Sequence, residues 1–260
     1  MMTSAPSELT APDASATFDP SEVERFERIA GDWWDPNGKF RPLHRQGPAR
    51  LSFIRDRLTA HFGLPQGGQK SLKGLAILDV GCGGGLTSEP LTRMGARVTG
   101  IDPTAEAIAI AKKHAESQGL TIDYRAARAE DLLAAGESFD VLVCLEVVEH
   151  VPDVGAFLKM LSGLVRPGGL IILSTLNRTW KSYGLAIVAA EYVLGWLPTG
   201  THDWNRFVTP DELKRHLQAA GFEPQAVTGI VYDLMHDEWR LNDSDLNINY
   251  MVAAARPAGS

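Results

Sequence analysis

Glu146, Glu149 and His150 stand close together, directly after an apolar run. Two carboxylates and an imidazole at spacings of three and four share one face if a helical turn follows the run. Such a set can bind a divalent cation. Without a metal, His150 can serve as a general base tuned by Glu146 or Glu149. A purely structural use of the same residues is a histidine satisfied by a carboxylate at a helix start. A second constellation lies earlier in the chain. Asp79-Val80-Gly81-Cys82-Gly83-Gly84-Gly85 ends one apolar run and precedes a helical stretch. Glycines there let the backbone turn sharply and let a ligand approach without Cβ clashes. The following helix offers free N–H groups and a positive dipole end. Asp102, 21 residues after Gly81, ends the next apolar run. An acid at that spacing can accept both ribose hydroxyls of an adenosine. The ligand is thus an adenosyl group or a dinucleotide, although Leu86 stands where the dinucleotide fingerprint needs its third glycine. A glycine turn serving only helix–strand packing is the bland alternative.

These residues need a scaffold, and the pattern around them supplies one. Short apolar runs alternate with helical ones. The strands are Leu75–Val80, Arg97–Ile101, Ile122–Arg125, Phe139–Leu145 and Leu170–Thr175. The helices are Leu86–Met94, Thr104–Glu116 with Thr104 as N-cap, and Val154–Val165. Continuous apolar strands alternating with helices mean a parallel sheet covered on both faces. The C-terminal part differs. Thr209–Ala220 is a helix with Pro210 at its first position and Gly221 past its end. Ala226–Tyr232 and Asn249–Ala255 are strands with no helix between them, which predicts a closing hairpin with one antiparallel strand. Upstream, helix is expected from Ser21, broken at Pro36, Gly38 and Pro42, and again from Pro48 to about Phe62. Gly63–Gly74 is a linking loop.

Composition narrows the function. The chain has 260 residues, with 25 Lys+Arg against 32 Asp+Glu and a net charge of −7. An acidic chain is a poor general nucleic-acid binder. Two cysteines, Cys82 and Cys144, cannot build a disulfide framework or a four-cysteine metal site, and read as reduced thiols of a cytosolic protein. Residues 1–20 hold Glu8, Asp13 and Asp19 and no basic side chain, which fits a disordered tail better than a targeting signal.

The glycine segment resembles the first motif of the class I S-adenosylmethionine-dependent methyltransferases, an acid and an apolar residue before G-x-G-x-G. Phe139-Asp140-Val141-Leu142 and Leu164-Val165-Arg166-Pro167-Gly168-Gly169 match later motifs of that class. The resemblance implies a seven-stranded Rossmann-like α/β sheet. It places Gly81 and Gly83 at the methionine part of the cofactor and Asp102 on the ribose, and counts Asp79 among the cofactor-binding residues. It places Glu130 or Asp131 near the adenine, with Asp131 preferred, and Leu145 beside it.

Further segments are more specific: Trp33-Trp34-Asp35, Phe40-Arg41-Pro42-Leu43-His44-Arg45, Glu146-Val147-Val148-Glu149-His150-Val151, Ser174-Thr175-Leu176-Asn177-Arg178 and Gly200-Thr201-His202-Asp203-Trp204. Together they resemble the ubiquinone-biosynthesis O-methyltransferases, from about Val23 to about Ala255. That family methylates polyprenylated catechols and hydroxyphenols at two pathway steps. The resemblance implies cofactor contact by Arg50 and a cation, with magnesium expected, at Glu146, Glu149 and His150, where eukaryotic members carry a metal. The chemistry is consistent. A catechol hydroxyl loses its proton only near pH 10, roughly as for Tyr. A base or a metal must ease that loss while the oxygen is held in line with the methyl. Trp33-Trp34 serves either as a ligand contact or as an aromatic pair fixing the N-terminal segment to the sheet. Rival readings are a class I methyltransferase of another small phenol or lipid, a nicotinamide-dependent oxidoreductase, and a non-catalytic lipid-binding protein that kept a cofactor pocket.

The expected organisation is one methyltransferase domain over residues 21–255, with an N-terminal helical cover (21–63) and an inserted lid (176–208). Within that lid, Gly184 to Leu197 is apolar apart from Glu191. As a helix it would be about 21 Å long, too short for a ~30 Å hydrocarbon core. Arg178, Lys181, Trp180 and Trp196 flank it as at a membrane interface, while a buried helix on the sheet is the alternative. Residues 39–57 carry Lys39, Arg41, Arg45, Arg50, Arg55 and Arg57 against Asp56, a local charge of +5. The expectation is a cytoplasmic protein held peripherally at the inner face of the membrane. His202 and Asp203 line the substrate pocket or form a loop-stabilising pair.

Overall fold

The computed structural model describes residue 17 and residues 30–65, 67–68, 70–182 and 204–259. The start of the expected cover (21–29), the apolar run 184–197, and His202 and Asp203 lie outside the described residues, as does the expected tail except Thr17. Thr17 itself is buried, and its hydroxyl donates to Glu130.

After a 3-10 turn (Ala30–Asp32), the elements are α1 (Arg41–His61), β1 (Ala76–Val80), α2 (Ser88–Arg93), β2 (Arg97–Asp102), α3 (Ala105–Ser117), β3 (Asp123–Ala126), α4 (Ala129–Ala134) and β4 (Phe139–Leu145). Then come a 3-10 turn (Val148–His150), α5 (Val154–Ser162), β5 (Val165–Leu176), α6 (Pro210–Ala219), β6 (Glu223–Asp233), β7 (Glu238–Asn242) and β8 (Asn249–Ala255). The sheet has eight strands in the order β3-β2-β1-β4-β5-β8-β6-β7. β1 to β5 are parallel, and β8 runs antiparallel to both β5 and β6. This is the expected Rossmann-like architecture with one strand more than seven. The addition is β7, which pairs antiparallel with β6 at the edge of the sheet.

The continuous apolar strands have the expected cause: both faces are covered. Leu78, Leu142, Cys144, Ile171 and Leu173 face a core shared with Phe157 and Leu161 of α5 and Leu213 and Leu217 of α6. Their neighbours Ile77, Val141, Val143, Leu170 and Ile172 face Ala49, Phe53, Ile54 and Leu58 of α1. Each such aliphatic side chain contributes about 1.5–3 kcal/mol on full burial. α1 therefore covers the sheet on the opposite face from α5 and α6.

Several details differ from expectation. α1 begins at Arg41, not Pro48, because Pro42 sits in the first turn, where a missing N–H costs nothing. Pro48 is carried inside the helix. α5 stops at Ser162, and Val165 already belongs to β5 and pairs with Phe139. Thr104 occupies the N-cap of α3 without a side-chain capping bond. By contrast, Thr209 caps α6 reciprocally with Glu212.

Candidate active site

The ligand edge of the sheet is built from β1, β2 and β4. At the end of β1 the chain reverses through Gly81, Gly83 and Gly85, whose φ angles are +71°, +52° and +93°. A Cβ at Gly81 would lie 2.5 Å from Val147, and one at Gly83 2.3 Å from the Trp33 ring. The glycines are thus required by conformation and by close approach. Asp79 is buried, accepts a hydrogen bond from Ser88 Oγ at 2.6 Å, and is pushed up to about 6 by that burial. Asp102 at the end of β2 accepts from Gly83 N at 3.0 Å and Thr104 N at 2.8 Å. Burial raises its pKa despite these two donors. Each of its oxygens keeps lone-pair capacity for a further donor.

At the next wall Ala129 and Glu130 line the cavity, and Asp131 does not. Asp131 points its carboxylate back to Arg128 N at 2.8 Å and so caps α4. Of the two candidates for the adenine side, Glu130 is thus the one that lines the cavity. Burial acts to raise Glu130, but its bonds from Arg128 and Thr17 prevail and hold it below the usual carboxylate value. Leu145, at the end of β4, also lines the cavity.

The acidic cluster follows. Glu146 leaves β4 in the left-handed region, with φ +55°. A non-glycine residue there is strained by roughly 1–3 kcal/mol and persists only when its surroundings fix it. Here Oε1 of Glu146 accepts from Arg50 at 2.9 Å, Ser174 Oγ at 2.7 Å and Asn249 Nδ2 at 3.1 Å. Glu149 is buried and accepts from Thr175 Oγ1 at 2.7 Å, while its Oε1 has no hydrogen-bond partner. Desolvation by burial, then the Glu146 charge, push Glu149 well above the carboxylate range. Burial also works to raise Glu146, but Arg50, Ser174 and Asn249 outweigh it, so Glu146 is the ionised member of the pair.

His150 lines the same cavity but does not join the carboxylates in a metal-ligating group. Among the described residues no three of His, Cys, Asp and Glu stand close enough to hold an ion. The cause is local. The chain makes a 3-10 turn after Val147 instead of the expected α-turn, and successive side chains there are about 120° apart. Glu149 is buried beside Glu146, while His150 is half-buried and lines the cavity. The donor chemistry of two carboxylates and an imidazole suits a cation, and Glu149 Oε1 is an orphaned acceptor. Yet the arrangement pairs Glu146 with a guanidinium and keeps the proton on Glu149. A cation does not fit these residues as they stand.

Several contributors carry no single strong signal in the sequence. Ser174, Thr175 and Asn249 hold the carboxylates, and the Ser-Thr pair beside the Glu-x-x-Glu spacing is the available hint. Trp33 stacks on Phe40 at 3.8 Å, and Trp34 Nε1 donates to Gly84 O at 2.9 Å. The tryptophan pair therefore clamps the glycine loop instead of the sheet. Trp34 also stacks on His114 at 3.5 Å, and His114 is tied to the buried Glu89 at 2.7 Å. Cys82 and Cys144 are buried, unpaired thiols whose burial pushes them up, so neither serves as a nucleophile.

All these walls bound one cavity of about 650 Å³, closed on the α1 side by Leu43, Gly47, Arg50 and Leu51. The chain as a whole has counterparts among known proteins. A family model described as a methyltransferase domain matches residues 43–227. A ubiquinone biosynthesis O-methyltransferase of Azorhizobium caulinodans is 53% identical over 94% of this chain and 96% of its own. One of Cereibacter sphaeroides is 50% identical over 94% and 99% of the two chains. Among solved structures, the magnesium protoporphyrin IX methyltransferase of Synechocystis aligns with a TM-score of 0.60 at 22% identity, over 92% of this chain and 96% of that one. A methyltransferase of Thermotoga maritima aligns at 0.61 and 18% identity, over 90% and 99% of the two chains. These structural likenesses establish the fold, and the sequence relatives establish more: the chain belongs to the ubiquinone biosynthesis O-methyltransferase family.

Proposed function

We propose that this protein transfers the methyl group of S-adenosylmethionine to a phenolic oxygen of a polyprenylated catechol or hydroxyphenol in ubiquinone biosynthesis. That it is an S-adenosylmethionine-dependent O-methyltransferase follows from its family. The observation that carries the finer reading is the shared cavity, in which the glycine loop and Asp102 join one wall with the Glu146–Glu149 pair. In this reading Arg50, Asp79, Gly81, Gly83, Asp102, Glu130 and Leu145 surround the cofactor. Bound there, the cofactor supplies an activated methyl, and the protein supplies position and a proton acceptor.

The acceptor is assigned by elimination. Glu149 holds its own proton. Glu146 spends its charge on three hydrogen bonds and is a weak base. His150, half-buried on the cavity wall, is left to take the phenol proton. The two carboxylates act as positioning residues for the wall behind it. A second reading, a cation held by Glu146, Glu149 and His150, is favoured by the orphaned Glu149 Oε1. It requires the proton of Glu149 and the guanidinium of Arg50 to be displaced and the three side chains to close into one ligand set. Offering a short-prenyl catechol with cofactor, with and without chelator, separates the two. Loss of turnover on chelation, restored by magnesium, supports the cation. Turnover that survives chelation but not His150→Ala supports the base.

The substrate's prenyl tail belongs in lipid, so the protein meets it at the cytoplasmic face of the membrane. Among the described residues no helix is long and apolar enough to cross a membrane. The run 184–197 remains our expectation for a lid that touches lipid. Vesicle flotation lost in a variant with Ile187, Val188 and Leu194 changed to Glu supports that lid, and flotation unchanged refutes it.

A further inference from the structure

Glu89 is a carboxylate with 2% exposure that the proposed reaction does not use. A charge buried to that degree needs a partner. His114 Nδ1 donates to its Oε1 at 2.7 Å, and the Arg93 guanidinium lies 3.8 Å from Oε2. The His114 imidazole in turn lies flat on the Trp34 indole, with ring centroids 3.5 Å apart and planes 8° from parallel. Trp34, Glu89 and His114 all line the cavity.

α3 is shaped to present this histidine. Ala107, Ala111 and His114 follow at spacings of four and three and so share one helix face. Ala107 and Ala111 are small and buried. A Cβ at Gly85 would lie 3.6 Å from the Ala111 Cβ, so the glycine loop packs directly on this face. About one turn further along, His114 meets Trp34 and Glu89.

These contacts close on themselves around the loop. Trp34 Nε1 donates to Gly84 O at 2.9 Å. Trp34 stacks on His114, His114 bonds to Glu89, and Glu89 N donates to Gly85 O at 3.1 Å. The step from Gly84 to Gly85 is thus one link in a closed chain of contacts. A loop that contains Gly81, Gly83, Gly84 and Gly85 offers few side chains by which to be held, and glycine loses the most conformational freedom on ordering. A loop ordered in advance avoids that cost when a ligand binds.

We propose that His114 is a positioning residue for the cofactor: fixed by Glu89, it braces Trp34, and Trp34 holds the glycine loop in the shape that receives the cofactor. The proposal rests on the reading above that places the cofactor on this loop, and it adds a residue that touches neither cofactor nor substrate.

The test is calorimetric titration of S-adenosylhomocysteine into the full chain and its variants. In His114→Asn the amide can take the place of Nδ1 and keep Glu89 bonded, but the stacked ring is gone. Its binding should weaken roughly fivefold. In Glu89→Leu/His114→Phe the buried polar pair is replaced by apolar side chains and the stack is kept, so binding should return to within about twofold of the parent. Trp34→Ala loses both the stack and the bond to Gly84 O and should weaken binding roughly twentyfold. Adding His114→Asn to it should change nothing further, because His114 acts through Trp34. In turnover, His114→Asn should raise the KM of the cofactor and not that of the catechol.

Several results overturn the proposal. Parent-like binding by His114→Asn does so, and leaves the site reading standing if Gly81→Ala binds weakly. Parent-like binding by Gly81→Ala overturns the site reading and this proposal with it. Losses that add in the double variant with Trp34→Ala place the effect of His114 elsewhere, and failure of the Leu/Phe pair to restore binding removes the stack as its route. A rise in both KM values marks a general disturbance of the fold and overturns it too. If Trp34→Ala does not unfold cooperatively in urea, the Leu/Phe pair decides alone.

Discussion

Replacing Glu149 by Gln tests the charge state on which the site is built. Glu149 is buried, its folded pKa is well above its unfolded value, and Glu146 beside it stays ionised. The sign follows from proton counting. Above the unfolded carboxylate value of about 4.5, the unfolded chain releases this proton and the folded chain keeps it. The folded state then binds more protons, so its stability falls as pH rises, until the folded pKa is passed. One proton corresponds to about 1.4 kcal/mol per pH unit. The amide of the Glu149→Gln variant has no proton to release in this range. Its oxygen can still accept from Thr175, and its NH2 can face Glu146. The shape is kept and the slope removed. Urea unfolding of the ligand-free protein at pH 5, 6 and 7 should show Glu149→Gln gaining on the parent by about 1.4 kcal/mol per unit. Asp79 titrates at about 6 in both proteins and cancels in the difference. Parallel stability curves for the two proteins would refute a protonated Glu149.

Four further outcomes are expected. Arg50→Met should cost about 3 kcal/mol in urea unfolding, the low end for breaking a buried pair, because Glu146 is one-fifth exposed. Adding Glu146→Gln to it should recover much of that loss. Gly81→Ala should weaken cofactor binding by more than roughly tenfold in calorimetry, since its Cβ meets Val147 at 2.5 Å and its φ is +71°. Trp34→Phe keeps the stack on His114 but loses the bond to Gly84 O, and should weaken cofactor binding about fivefold, near 1 kcal/mol. His150→Ala should bind cofactor as the parent does while losing methyl transfer to the catechol.

Much of the frame is legible because burial on both faces writes itself into sequence. β4 and β8 have the bounds that their apolar runs predict. β7 escapes notice because Glu-Trp-Arg-Leu-Asn alternates over only five residues on a sheet edge. Its strand character comes from pairing with β6. The start of α1 is hidden because Pro42 reads as a breaker everywhere except in a first turn. In the site, the glycine loop, Asp102 and the acidic pair carry local signals. The Arg50–Glu146 bond joins residues 96 apart and has none, and Asn249 enters only through the pairing of β8 with β5. The position of His150 depends on a left-handed residue followed by a 3-10 turn. The spacing of three and four does not distinguish that path from an α-helical one.

The most direct test of the proposed activity is mass analysis of a short-prenyl catechol incubated with the protein and methyl-labelled S-adenosylmethionine. The expected product is heavier by one labelled methyl on oxygen, formed by the parent protein and absent with His150→Ala. Unchanged catechol, with the cofactor bound and the protein folded, would contradict it.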